Sequence, residues 1–78
     1  FAFQHWDITP DILVSGKGLA GGYAPIGGVF ATEAVGRTLA DARMNVMFHT
    51  FGAHPAACAA AAEVLTIIAE QRLVERAA

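Results

Sequence analysis

The chain reads as an α/β unit in which two short strands flank a glycine-rich connection and two helices follow. Three observations predict it. The run Ile12-Leu13-Val14 is short, apolar and bounded by turn signals, Thr9-Pro10-Asp11 before it and Ser15-Gly16 after it. The stretch from Leu19 to Gly28 holds four glycines and Pro25, which disfavours helix there. From Pro55 the chain turns alanine-rich and then aliphatic without a breaker until Gln71.

Each element has a local cause. Phe1–Asp7 is aromatic and mixed, with no clean period. Thr9 precedes a proline and is pushed toward extended backbone. β-branched content makes Ile12–Val14 a buried strand rather than a helical turn. Ile26–Thr32 supplies a second strand, so the pair forms a hairpin-like unit with a long connection. Thr32 suits a helix N-cap, and Glu33 suits the positive end of the dipole, which predicts a helix over Glu33–Ala42. Arg43–Gly52 is irregular or weakly extended. Pro55 fits the first turn of a second helix running to Gln71, about 25 Å long. That helix is apolar all round, the mark of one buried in a larger body. Leu73–Ala78 continues in a helical pattern.

Composition bounds the function. The chain has 78 residues, 55% apolar and 15% charged, with a net charge of -2. So few charges are wrong for a free-standing body this small, which is mostly surface. The expectation is a piece of a larger protein, and the opening on Phe1 rather than Met agrees with it. The charge balance excludes a strongly basic nucleic-acid binder, and the apolar content excludes intrinsic disorder. A single cysteine, Cys58, rules out an intrachain disulfide and suits a reducing compartment. Phe48–Ala69 is long enough to span a bilayer, but His49, His54, Pro55 and Glu63 make it a soluble helix instead.

Lys17 is the sharpest candidate for chemistry. It is the one lysine, it follows an apolar strand between Gly16 and Gly18, and no other charge lies within five residues. An ammonium at the end of a buried strand is desolvated, which frees the amine lone pair as a Schiff-base lysine requires. The alternative is an exposed turn lysine whose glycines only shape the loop. Gly16-x-Gly18-x-x-Gly21 matches a dinucleotide fingerprint in letters, but Tyr23 to Gly28 does not continue as the helix that motif opens. A phosphate-binding loop fails as well, because Gly18 stands where a hydroxyl should follow the lysine.

The second cluster is His49-Thr50-Phe51-Gly52-Ala53-His54-Pro55. Thr50 lies just ahead of a helix start, where an anion is held well. The alternative is a threonine that satisfies loop backbone. His49, His54 and Cys58 lack a completing carboxylate, so no metal site is expected. His5-Trp6-Asp7 reads as packing.

Together these segments resemble the class III pyridoxal-phosphate aminotransferases of fold type I. The residues that carry the resemblance are Pro10-Asp11-Ile12-Leu13-Val14-Ser15-Gly16-Lys17-Gly18-Leu19 and Gly22-Tyr23-Ala24-Pro25-Ile26-Gly27-Gly28-Val29. They continue with His49 through Pro55 and with Ala57-Cys58-Ala59-Ala60. The resemblance covers essentially the whole chain in order.

It implies that residues 1–78 are part of the cofactor-binding large domain, ending near the junction to a small C-terminal domain. It implies pyridoxal 5'-phosphate as cofactor, held as an internal aldimine on Lys17, with Thr50 reaching the cofactor phosphate of the neighbouring subunit. The implied reaction moves an amino group between an amine or amino acid and a 2-oxo acid or other carbonyl acceptor. A homodimer or higher homo-oligomer with shared sites, a cytoplasmic location and no nucleic-acid or membrane partner go with it. Arg37, Arg43, Arg72 and Arg76 match no substrate residue of the family and are assigned to surface or packing. Aminomutases and decarboxylases of the same fold keep the same lysine segment. A non-catalytic truncated interaction module is the reading from a different class. The isolated stretch is expected to be inactive.

Overall fold

In a computed structural model, residues 1–44 and 48–77 are described. The strand β1, Ile12–Ser15, pairs antiparallel with β2, Gly28–Ala31, in the register Ile12–Ala31, Leu13–Phe30, Val14–Val29 and Ser15–Gly28. Alternation along each strand puts Leu13 and Phe30 on one face and Ile12, Val14, Val29 and Ala31 on the other. The first face is covered from the N-terminus. Ala2–Trp6 forms a short 3-10 helix, where the sequence showed no period, and the Phe1 ring lies 5.7 Å from that of Phe30 and 6.1 Å from that of Phe3. The second face is open, with Ile12, Val14 and Val29 all exposed.

β2 is shorter than the expected Ile26–Thr32. Pairing begins only at Gly28, and beyond Ala31 one further bond runs from the Thr32 N–H to the Asp11 carbonyl. Thr32 then acts as the backbone N-cap of α1, Glu33–Asp41. Its hydroxyl makes no capping bond and is buried without a partner among the described residues. Glu33 and Arg37 pair across one turn of α1, both exposed, so the pair is worth a few tenths of a kcal/mol, about 0.3–0.5. Of the expected irregular stretch from Arg43 to Gly52, residues 45–47 lie outside the described residues.

The helix α2 runs from Pro55 to Glu70, as the proline at its first position and the uninterrupted alanines predict. His54 is its N-cap, with Nδ1 accepting from the Ala57 N–H at 3.4 Å. The helix ends at Gln71, and Arg72 in left-handed backbone (φ 52°) leads into the single turn α3, Leu73–Arg76. One face of α2 is covered: Ala57, Ala60, Ala61, Val64, Ile67 and Ile68 recur at the spacing of a helical stripe. Within this chain the other side is open, Leu65 included.

The lysine-bearing connection packs on that stripe. Where the glycines argued against helix, Lys17–Ala20 forms one turn of 3-10 helix, which needs only bonds across three residues. Leu19 and Ala20 from this turn and Ala57 and Ala61 from α2 are the buried apolar residues among those described. The accessible surface is 6629 Å², against roughly 4,500 Å² for a compact monomer of this mass. The radius of gyration of 14.5 Å likewise exceeds the roughly 11.5 Å of a compact domain of this length. Among the described residues no helix is long and apolar enough to cross a membrane.

The exit from the lysine turn gives a stability test. Gly21 and Gly22 both have left-handed backbone, φ 61° and 80°. A Cβ on Gly21 would meet a Val64 methyl at 3.2 Å and the Tyr23 ring at 3.1 Å, whereas one on Gly22 would meet nothing within 4 Å. Gly22→Ala should therefore cost only the conformational penalty of about 1–2 kcal/mol. Gly21→Ala should cost more, because the contact with α2 must also open. Urea unfolding of the protein that carries this chain checks the ordering.

Candidate functional site

The site is built around the end of β1. Gly16 leaves the strand in extended backbone, and Lys17 then takes φ 46°. A regular 3-10 turn has φ near about -60°, so Lys17 departs from the turn it opens. Left-handed backbone costs a residue with a Cβ roughly 1–2 kcal/mol, and such positions gather at functional sites. After Lys17 the chain is tied down by successive backbone bonds. The N–H of Leu19 donates to the Gly16 carbonyl (3.0 Å), that of Gly21 to Gly18 (2.9 Å) and that of Tyr23 to Ala20 (3.0 Å).

Lys17 itself is exposed and enters neither of the ion pairs among the described residues, Arg37–Glu33 and Arg72–Glu75. The desolvation expected of a lysine at the end of a buried strand is therefore not supplied by this chain. Its physical reason is the open second face of the β1–β2 ribbon, which leaves β1 alternating between exposed and half-buried. The flanking glycines leave room: a Cβ at Gly18 would touch nothing within 4 Å, and one at Gly16 would make only ordinary contact with the Ile26 carbonyl at 3.7 Å.

Thr50 lies in a tight double turn. The Gly52 N–H donates to the His49 carbonyl (2.9 Å) and the His54 N–H to that of Phe51 (3.2 Å). Gly52 suits this turn, since a Cβ would stand 3.0 Å from the His49 oxygen and the backbone would have to give by a few tenths of an ångström. Ala53 in left-handed backbone (φ 54°) then delivers the chain to the His54 cap. Thr50 is exposed ahead of α2, while Lys17 is carried by the turn packed on the side of α2. No hydrogen bond joins the two among the described residues. His54 serves as a cap, Cys58 is exposed on the helix, and no three metal-ligating side chains gather among the described residues.

The donor set fits the pyridoxal phosphate that the resemblance implies. An unpaired primary amine with open space beside it suits an aldehyde. An exposed hydroxyl ahead of a helix start suits a phosphate. Two features escaped sequence reasoning: the left-handed backbone of Lys17 and the anchoring of its turn by Leu19 and Ala20. Only the run of small residues in α2 hinted at the second.

Comparison with known proteins identifies the family. A family model described as aminotransferase class-III matches residues 1–78. An uncharacterized aminotransferase, YodT of Bacillus subtilis (strain 168), is 40% identical over 76 residues, 96% of this chain and 17% of that protein. A solved structure, a new transaminase from the marine bacterium Virgibacillus, has a TM-score of 0.82 at 38% identity, again over 96% of this chain and 17% of the other. The chain thus spans 17% of the length of the relatives it matches.

The backbone of Lys17 makes its own prediction. Two variants that both lack the amine, Lys17→Gly and Lys17→Ala, should differ in stability because only alanine carries the left-handed penalty. The glycine variant should be the more stable by about 1 kcal/mol, the penalty less the extra freedom glycine loses on folding. Denaturant midpoints of the two, measured side by side, test this.

Proposed function

The chain belongs to the class III aminotransferase family, and from that premise we propose that it forms part of the large, cofactor-binding domain of a pyridoxal-phosphate-dependent transaminase. The transaminase moves an amino group between an amine or amino acid and a 2-oxo acid or other carbonyl acceptor. One observation carries the assignment of its centre: the chain's single lysine opens the connection at the end of β1, in left-handed backbone, within the family's glycine-rich motif.

Lys17 is the residue to which the cofactor attaches, through Nζ. When bound, pyridoxal phosphate supplies an aldehyde that takes up the amino group and a ring that accepts electrons from the substrate carbon. Lys17 would hold its Nζ beside that carbon and move the proton, acting as base and then as acid. The open space beside Gly18 leaves a flat ring free to approach the backbone. The Thr50 hydroxyl donates to a phosphate oxygen, a bond to a charged acceptor worth about 1.5–3 kcal/mol.

The site is completed between subunits, with Lys17 from one and Thr50 from the other. The open face at Ile12, Val14 and Val29 and the highly exposed Phe48 and Phe51 support a chain that needs covering surfaces. The single Cys58, exposed and unpaired, suits a cytoplasmic protein. The stretch by itself is inactive, because 17% of the relatives' length holds only part of the pocket.

Lys17→Ala in the whole protein should abolish cofactor attachment and lower turnover by at least the 10²–10⁴-fold of a lost general base, about the floor for losing both roles. Steady-state kinetics and the visible absorbance of the bound cofactor report the two losses. Thr50→Ala should raise the cofactor dissociation constant about tenfold to a hundredfold while sparing the rate at saturating cofactor. Subunit mixing tests the sharing. Refolding the Lys17→Ala and Thr50→Ala proteins together should restore activity at limiting cofactor, since each mixed dimer then has one site free of both changes. No recovery would mean that both residues serve one site within one subunit.

A further inference from the structure

Lys17 is exposed, so its own side-chain contacts within this chain do not fix where Nζ stands. Its position is inherited from the turn it opens. Three residues on, Ala20 has no accessible surface at all, and it packs with Leu19 and Ala61 in one cluster, with Ala60, Ala24 and Ile26 at the margin. A 3-10 turn rises about 2 Å per residue, so Lys17 sits only about 6 Å along the backbone from this buried point. The bonds from Leu19 to Gly16 and from Gly21 to Gly18 make the intervening backbone a closed unit that moves as one piece.

At its centre Ala20 of the turn and Ala61 of α2 offer only methyl groups. Ala61 is 7% exposed, and Ala57, one helical turn earlier, has the same exposure. Gly21 carries the close approach onward, since a Cβ there would already press on Val64. On the far side a Cβ on Gly28 would come 3.3 Å from a Leu19 methyl, so the turn is held between β2 and α2. Ala61 is buried within this cluster, and packed interiors transmit the strain of added volume rather than absorb it.

We propose that Ala61 is a positioning residue for Lys17: through Ala20 it sets the distance between α2 and the lysine turn, and so the place of Nζ at the reaction centre. This rests on the reading that Lys17 carries the cofactor. A displacement of about 1 Å at a reacting group is enough to cost about a hundredfold in rate. Ala61 itself touches neither cofactor nor substrate in this scheme.

The test uses the whole protein with pyridoxal phosphate bound and compares Ala61→Leu, Ala61→Val and Ala61→Ser. Circular dichroism and cofactor content establish that each variant is folded and loaded, and Ala61→Val, one carbon smaller than leucine, serves where the larger residue does not fold. The expected result for the enlarged side chain is a kcat about a hundredfold lower with KM for the amino donor unchanged. The pH midpoint of the bound cofactor's visible absorption should also move, because it reports the surroundings of Nζ. In cofactor-free protein, the rate at which pyridoxal and borohydride label Lys17 should change in the same variants. Ala61→Ser, which adds a single oxygen, should move all three measurements less than either larger variant. A folded Ala61→Leu or Ala61→Val protein with native midpoint, native kcat and native labelling of Lys17 overturns the inference. Native protein whose cofactor is found on a different lysine overturns instead the reading on which it rests.

Discussion

The structure depends on one close contact, that of Leu19 and Ala20 against Ala61 of α2. The connection between β1 and β2 is rich in glycine and has little reason of its own to hold one shape. It holds one because Leu19 and Ala20 are inserted between the ribbon and the helix. Full burial of a leucine contributes about 1.5–3 kcal/mol. The left-handed backbone of Lys17 costs about 1–2 kcal/mol. The anchor therefore offsets the strain two residues upstream, and a lysine is kept in a conformation that glycine would take more readily. Larger residues at the two alanine positions would hold the turn away from the helix and release that constraint.

The same chain leaves much of its apolar surface open. Its accessible surface exceeds that of a compact monomer by an amount on the scale of a standard protein interface, roughly 2,000 Å². The excess lies where the sequence is least charged: on the outer face of the β1–β2 ribbon, on the far side of α2 and at the aromatics before it. This is why Lys17 is exposed although its strand is apolar. Desolvation of the amine requires surfaces that this stretch does not itself place against Lys17.

Much of this was legible in the sequence, for local reasons. Thr9-Pro10-Asp11 and Ser15-Gly16 bracket β1 so tightly that its expected and observed bounds differ by one residue. Glu33 and Pro55 mark helix starts that the structure reproduces, because both signals act through the first turn alone. The rest needed tertiary contacts. The 3-10 turn at Lys17–Ala20 runs against glycine's helix propensity and exists because α2 receives it. Left-handed backbone at Lys17 has no letter code, since the residues that advertise it are Gly, Asn and Asp. The covered side of α2 was hidden because the helix is apolar on every side. Of the candidate site, the residue types and their order were readable, and their support was not.

The central claim is that Lys17 is where the cofactor is attached, and one measurement reaches it directly. Borohydride reduction of the whole protein fixes the attachment, and peptide mapping by mass spectrometry then locates it. The account predicts a pyridoxyl mass on the peptide that contains Lys17, flanked by Gly16 and Gly18. The same mass on a different lysine, or no labelled peptide from protein shown to contain the cofactor, would contradict it.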